Sequence, residues 1–349
     1  VAFRELKNRR GSVVAVDISD GAIVTYLSSP SFSVNKIANG LSQNDFNELI
    51  EDKNKPFFDR AAQGRYSPAS TIKPAIGLFG LENNIIDWDF TIDDPGYFEL
   101  PEDGRIYRGW KKGGHGKINL QDAIIESSNT FFFSLAYKSE IEELIKHLSY
   151  FGFGRNVCLD CFLPDNGLLP NPAWKMNTLN FGWFKGDTVN LGVGQGYMSA
   201  TPLQLAYYSA FIANKGALNK FSFVQDDKTL PKDVFYSGNI DDKDWEKIHK
   251  SMIGVIEQPK GTAGRLRELK DYIIAAKSGT VELVSTDTKE DYKIIREEEA
   301  KRDHAIIVAF GPMPNPKYAV SVVIENGESG GSVAGPVAIE VLNSLLDYE

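Results

Sequence analysis

The stretch "GRYSPASTIKPAIGL", residues 64–78, places Ser70 and Lys73 three residues apart among small and apolar neighbours. On a helix that spacing puts a hydroxyl and an amine on one face. Pro74 suits the first helical turn, where its missing N–H costs no hydrogen bond. The residue before a proline resists helical angles, so the Lys73 backbone is expected to be less regular than its neighbours. A serine hydroxyl is a poor nucleophile until a base takes its proton. Histidine is the usual base, yet His115, His147, His249 and His304 all lie far from Ser70 along the chain. An uncharged lysine can serve instead. Its pKa must then fall from about 10.4 toward about 7, roughly 4 kcal/mol of environment, which burial and a neighbouring cation both favour.

Alone, S-x-x-K is weak evidence, since a chain of this length shows it about once by accident. A second copy, Ser33 and Lys36 in "SFSVNK", follows a proline turn and precedes no apolar helix, and we read it as chance. The Ser70 copy has company. "ESSNTFFF" offers Ser127 and Asn129, and "AAKSGTVEL" offers Lys277, Ser278, Gly279 and Thr280. Glycine weakens a strand, so Gly279 is expected to mark the close approach of a ligand. If Ser70 attacks a carbonyl, Ser127 can relay a proton between Lys73 and a departing amine, while Asn129 holds either Lys73 or a substrate amide. Lys277 supplies fixed charge that also helps keep Lys73 neutral. The hydroxyls of Ser278 and Thr280 suit a carboxylate, and the amides of Ser70 and Thr280 suit an oxyanion. Trp110 and Tyr107 are candidates for the rim of such a cleft, or for plugs in the core.

The elements that must position these groups are legible in outline. Residues 11–29 read as two β-rich runs joined at Asp20-Gly21, a hairpin signal. "DYIIAAKSGTVEL", "HAIIVAFG" and "YAVSVVIENG" read as three more strands, the last two joined by "PMPNPK", and "PVAIEVLNSLLDY" as a closing helix. Between the two groups, "LQDAIIESSNTFFFSLAY", "EIEELIKHLSYFG" and "TPLQLAYYSAFIANKG" have helical spacing. Both chain ends thus feed one antiparallel sheet with a helical part inserted, an α+β layout with catalysis expected at the seam. The charged run "STDTKEDYKIIREEEAKRD" reads as a solvated excursion between strands.

A net charge of −9 argues against a nucleic-acid partner, which is bound through clustered Lys and Arg. No apolar run of eighteen residues and no signal-peptide core is present, so the chain as given is expected to be soluble. The two cysteines, Cys158 and Cys161 in "NVCLDCFLP", lack a second pair that would complete a zinc site. They read as small, half-buried hydrophobes.

The ordered set Ser70-x-x-Lys73, Ser127-x-Asn129, Lys277-Ser278-Gly279 resembles the signature of penicillin-recognising serine enzymes. The long interval between the second and third motifs departs from a compact β-lactamase. "RAAQGRYSPASTIKP", "DDPGYFEL", "WKKGGHGKINLQDAIIESSNTFFF", "GDTVNLGVGQGYMSATPLQLA" and "KRDHAIIVAFGP" are similar to the transpeptidase domain of penicillin-binding protein 2, the class B enzyme of rod-shape elongation. The resemblance implies a serine β-lactamase/transpeptidase-like fold: a five-stranded antiparallel sheet flanked by helices, with a helical subdomain at about residues 75–265. It implies a transpeptidase domain over 11–349, residues 1–10 being a remnant of a pedestal or linker. It also implies D,D-transpeptidation of peptidoglycan stem peptides through an acyl-Ser70 intermediate, trapped covalently by β-lactam antibiotics. The implied setting is the periplasmic face of the inner membrane, with an anchor N-terminal to this sequence, a membrane glycosyltransferase and elongation-complex proteins as partners, and no cofactor. A serine β-lactamase and a non-catalytic β-lactam sensor or scaffold are the alternatives. Two departures stand out. Ala69 replaces the glycine that relatives usually carry before the serine. Some relatives also hold zinc through two aspartates, a histidine and a cysteine. Asp94 and His115 match two of those positions, Gly109 and Ser128 replace the others, and no metal is expected.

Overall fold

The computed structural model describes residues 1–6, 9–224, 238, 240–283, 294 and 296–348. Most of the charged run that begins at Ser285 lies outside the described residues. Five strands form one antiparallel sheet: β1 (Gly11–Asp17), β2 (Ile23–Ser29), β3 (Ala275–Val281), β4 (His304–Gly311) and β5 (Tyr318–Ile324), in the spatial order β2-β1-β5-β4-β3. The first hairpin turns where expected. Gly21 takes a φ of +82°, open to a residue without Cβ, and Asp20 Oδ1 accepts from the Ala22 amide at 2.8 Å.

Every residue of β5, and all of β4 except His304, is buried, so this part of the sheet needs cover on both faces. Helix α4 (Pro202–Ala213) and helix α6 (Gly335–Asp347) both pack on β4 and β5, and α4 also reaches β1. Two side-chain bonds lock α4 to the sheet: Ser209 Oγ donates to the Ala309 carbonyl at 3.0 Å, and Ser321 Oγ to that of Pro202 at 2.7 Å. Edge strand β3, which carries Lys277 to Thr280, is backed by α5 (Asp242–Glu257).

Three expectations change here. The run 120–137 is two helices, α2 (Leu120–Ile125) and α3 (Asn129–Tyr137), broken where Ser127 takes a φ of +58° and Ser128 caps α3 by accepting from the Phe131 amide. Helix α5 is absent from the sequence reading because its charged residues mask the stripe Trp245, Ile248, Met252, Val255 and Ile256, all buried. Cys158 and Cys161 are joined as a disulfide rather than standing as separate thiols, the loop bringing their Cα atoms to 5.6 Å.

Candidate active site

Ser70 lies in a 3-10 turn, Ala69–Ile72, that runs directly into α1 (Lys73–Glu82). It is half-buried, at a helix start whose first amides have no intrahelical partner. Lys73 adopts helical angles (φ −53°, ψ −37°) despite Pro74, because its buried side chain is anchored at the far end. Ala69, just before Ser70, sits at φ +47°, a left-handed conformation that costs an L-residue roughly 1–2 kcal/mol. Its amide is tied to the Gly194 carbonyl at 3.0 Å, and Ser67 Oγ donates to the same oxygen. Gly194 therefore holds the Ser70 turn, and a Cβ there would collide with the Ala69 backbone.

Four of the motif residues meet behind this turn. Lys73 and Lys277 are both fully buried. Lys73 Nζ lies 2.9 Å from the Ser127 carbonyl, 2.6 Å from Asn129 Oδ1 and 3.3 Å from Ser127 Oγ. Lys277 Nζ lies 2.9 Å from Ser127 Oγ and 3.0 Å from the Ser278 carbonyl. One distribution of protons satisfies all five contacts. A neutral Lys73 amine has two N–H bonds for the two carbonyl-type oxygens and a lone pair for the Ser127 hydroxyl proton. A charged Lys277 then donates to Ser127 Oγ and to the Ser278 carbonyl.

Electrostatics favour that distribution. Burial pushes the Lys73 amine well below its ordinary value, and the nearby Lys277 charge pushes it further, against a smaller opposing pull from Asp94. Burial lowers Lys277 to about 7. Two ammonium groups facing one hydroxyl cannot both stay protonated cheaply, so the pair loses its first proton early. Asn129, left open in the sequence, here binds Lys73 through its carbonyl oxygen, which leaves its NH₂ for a substrate carbonyl.

The positive φ of Ser127, unavailable to a residue inside a continuous helix, aims its hydroxyl between the two lysines. Trp110 Nε1 donates to the Ser127 carbonyl at 3.1 Å while half its surface stays open (53%), which puts it at the cleft edge. Tyr107 instead packs on Phe133 with ring centroids 5.6 Å apart. What crowds Gly279 is the Ser70 turn: a Cβ there would meet Thr71 Cγ2 at 3.0 Å and the Pro68 carbonyl at 3.2 Å. The glycine lets β3 close on the Ser70 turn, a close approach to residues 68–71 that leaves the expectation of a ligand there as it stands. Thr280 is exposed at the strand edge, and Ser278 Oγ lies 2.8 Å from Thr262 Oγ1, a partner that no sequence motif marks. Ser33 caps the short helix Val34–Ala38 through the Lys36 amide and takes no part in the cluster.

Asp94, His115 and Ser128 also come together. Asp94 Oδ2 lies 2.6 Å from His115 Nδ1 and accepts from Ser128 Oγ at 2.7 Å. Burial raises the Asp94 pKa, yet the bonds from His115, Ser128 and the Gly96 amide outweigh it and hold the group well below the usual carboxylate range. Gly109 adds no donor atom, and a hydroxyl stands where relatives have a thiolate. His115 Nε2 is buried without a partner among the described residues, but one imidazole and one carboxylate fall short of the four donors zinc takes. The residues present do not fit that ion, and the hydrogen bonds themselves join the α3 cap to residue 94.

A family model described as the penicillin binding protein transpeptidase domain matches residues 11–343. The chain belongs to this penicillin-binding protein transpeptidase family. It is 39% identical over 355 residues to the peptidoglycan D,D-transpeptidase MrdA of Acinetobacter baumannii, with 100% of this chain and 52% of that protein aligned. The chain thus spans about half the length of the curated relatives it matches. PBP2 of Pseudomonas aeruginosa, solved in complex with WCK 5153, superposes with a TM-score of 0.90 at 36% identity over 99% of this chain and 76% of that one. PBP2 of Helicobacter pylori, solved in complex with MreC, gives 0.90 at 32% identity over 99% and 62%. The PBP2 resemblance read from the motifs is met in sequence and in fold, and so is the five-stranded antiparallel α+β architecture. Among the described residues, no helix is long and apolar enough to cross a membrane.

Proposed function

We infer that this domain is a peptidoglycan D,D-transpeptidase. The observation that carries the reading is the shared hydroxyl of Ser127, held between buried Lys73 and Lys277 behind half-buried Ser70. Ser70 Oγ attacks the carbonyl of the penultimate D-Ala of a stem peptide as Lys73, its lone pair released when the Ser127 O–H turns away, takes the Ser70 proton. The developing oxyanion is met by the amides of Ser70 and Thr280. Ser127 passes the proton on to the nitrogen of the departing D-Ala, whose carboxylate is held by Ser278 and Thr280 with the Lys277 charge close by. An amine from a neighbouring stem then takes the acyl group and restores Ser70.

β-Lactams fit the same site because they present a strained amide and a carboxylate in the arrangement of the stem terminus. A disulfide at Cys158–Cys161 suits an oxidising compartment, which supports work at the periplasmic face of the inner membrane. The H. pylori relative was solved with MreC, which supports elongation-complex proteins as partners, and a structure of a peptidoglycan synthase complex that coordinates polymerization and crosslinking supports a membrane glycosyltransferase.

Intact-mass spectrometry after mixing with benzylpenicillin tests the reading. The expected result is a one-to-one adduct that persists for many minutes. Rapid return to the free mass identifies a β-lactamase instead. A lasting adduct with no cross-linking of strands made by a glycosyltransferase partner identifies a sensor.

A further inference from the structure

Past Gly194, which holds the Ser70 turn, the chain reaches Gly196 and Tyr197 within about 11 Å. A hollow of about 280 Å³ opens here, with walls of Pro170, Trp183, Asp187, Asn190, Gly196 and Tyr197. The short helix Lys185–Leu191, which supplies Asp187 and Asn190, packs on α3, the helix that begins at Asn129. The hollow therefore lies beside the reaction cleft, and no step of the acyl transfer uses its side chains.

Its rings are held by their own neighbours. Trp183 Nε1 donates to Thr188 Oγ1 at 2.8 Å, and Tyr197 packs on Trp174 with ring centroids 5.4 Å apart. Buried Lys175 puts its Nζ 2.6 Å from Asp187 Oδ2, 4.7 Å from the ring centre of Phe184 and 5.6 Å from that of Tyr197. The Phe184 amide donates to the same carboxylate oxygen at 2.8 Å. That leaves Asp187 Oδ1, and the whole side-chain amide of Asn190, without a bond to any described residue. The wall thus offers an acceptor, a donor and two aromatic rings. Lys175 and Asp187 neutralise each other, so neither a cation nor an anion meets a net opposite charge there. A neutral sugar suits these walls. Its ring has an apolar C–H face for an indole or a phenol, and its hydroxyl and acetamido groups need both a donor and an acceptor.

We propose that this hollow is a glycan subsite, which binds an N-acetylated sugar of the strand that carries the stem peptide. The acetamido N–H donates to Asp187 Oδ1, the acetamido carbonyl accepts from Asn190 Nδ2, and the sugar ring lies against Tyr197. The inference rests on the transpeptidase reading and deepens it by extending the substrate from the peptide to its sugar. The acylated carbonyl belongs to the fourth residue of the stem. Four extended residues span at most about 14 Å, enough to reach from the Ser70 turn past Gly194 to Tyr197.

Saturation-transfer NMR with peptide-free N,N′-diacetylchitobiose tests the proposal, with cellobiose, which lacks the acetamido groups, as the comparison sugar. The wild-type protein is expected to transfer magnetisation to the acetamido methyl protons and to bind this probe about tenfold more tightly than cellobiose. Asn190→Ala and Tyr197→Leu are each expected to weaken binding by about tenfold, with Tyr197→Phe retaining most of it. A wild-type protein that gives no transfer, or that binds the two sugars alike, overturns the proposal. So does wild-type affinity in Asn190→Ala and Tyr197→Leu proteins that keep the near-ultraviolet circular dichroism of the wild type. Should one of the two lose that spectrum, the other decides. The penicillin adduct is read separately on the wild-type protein. If no adduct forms while the sugar binds as expected, the transpeptidase reading falls and the hollow stands as a glycan site alone.

Discussion

Ser70→Ala is expected to eliminate the covalent penicillin adduct altogether, with no residual slow phase. The hydroxyl is the only atom lost, and no other side chain stands in its place on the 3-10 turn between Ala69 and Ile72. Ser70 is half-buried and its hydroxyl makes no hydrogen bond among the described residues, so the fold should be kept within about 0.5 kcal/mol of the wild type. Peptide mapping of the wild-type adduct should place the label on the peptide that contains residues 64–78. An adduct that survives the substitution, or that maps to Ser33 or to another serine, contradicts the assignment of the nucleophile.

Lys73→Met should lower the acylation rate constant by about 10²–10⁴-fold, the range that a positioned general base supplies. Methionine fills the buried volume without an amine, so Ser70 loses its proton acceptor and Ser127 loses one end of its relay. The carbonyl of Ser127 keeps its bond from Trp110, whereas Asn129 Oδ1 is left without its 2.6 Å donor. That orphaned oxygen costs about 1–3 kcal/mol. Stopped-flow acylation measured with near-ultraviolet circular dichroism separates the two effects. A variant that keeps its tertiary spectrum but acylates within about threefold of the wild-type rate would falsify the role given to Lys73.

The chemistry was readable in the sequence because its parts are short and local. Ser70 and Lys73 share a helical turn, Lys277 to Thr280 share a strand, and the hairpin at Asp20-Gly21 carries its own turn signal. What escaped depends on tertiary contact. The φ of Ser127 breaks a run whose spacing is helical throughout, and nothing in "ESSNTFFF" announces it, since the gain comes from two lysines 54 and 150 residues away. Gly279 was readable as a site of close approach, but that the turn of residues 68–71 is what approaches it depends on tertiary contact. Thr262 lies in no motif and reaches Ser278 only because α5 delivers its loop there. Ala69 carried a usable hint: a residue standing where relatives have glycine proves to hold the positive φ that glycine would take freely. For the cysteines, a C-x-x-C spacing does not by itself separate two thiols from a closed loop, and the backbone path between them decides.

The protonation state of Lys73 is read most directly from the pH dependence of Ser70 acylation by penicillin under pseudo-first-order conditions between about pH 5 and 10. The rate should rise as the lysine pair loses its first proton. Because burial and the neighbouring cation hold Lys73 well below an ordinary lysine, the rise should be complete well below pH 10, and loss of the Lys277 charge, whose pKa burial lowers to about 7, should bring the rate down again at higher pH. A rate that is small at neutral pH and still climbing with the midpoint of an ordinary lysine, near 10.4, would mean that Ser70 is armed by some other group.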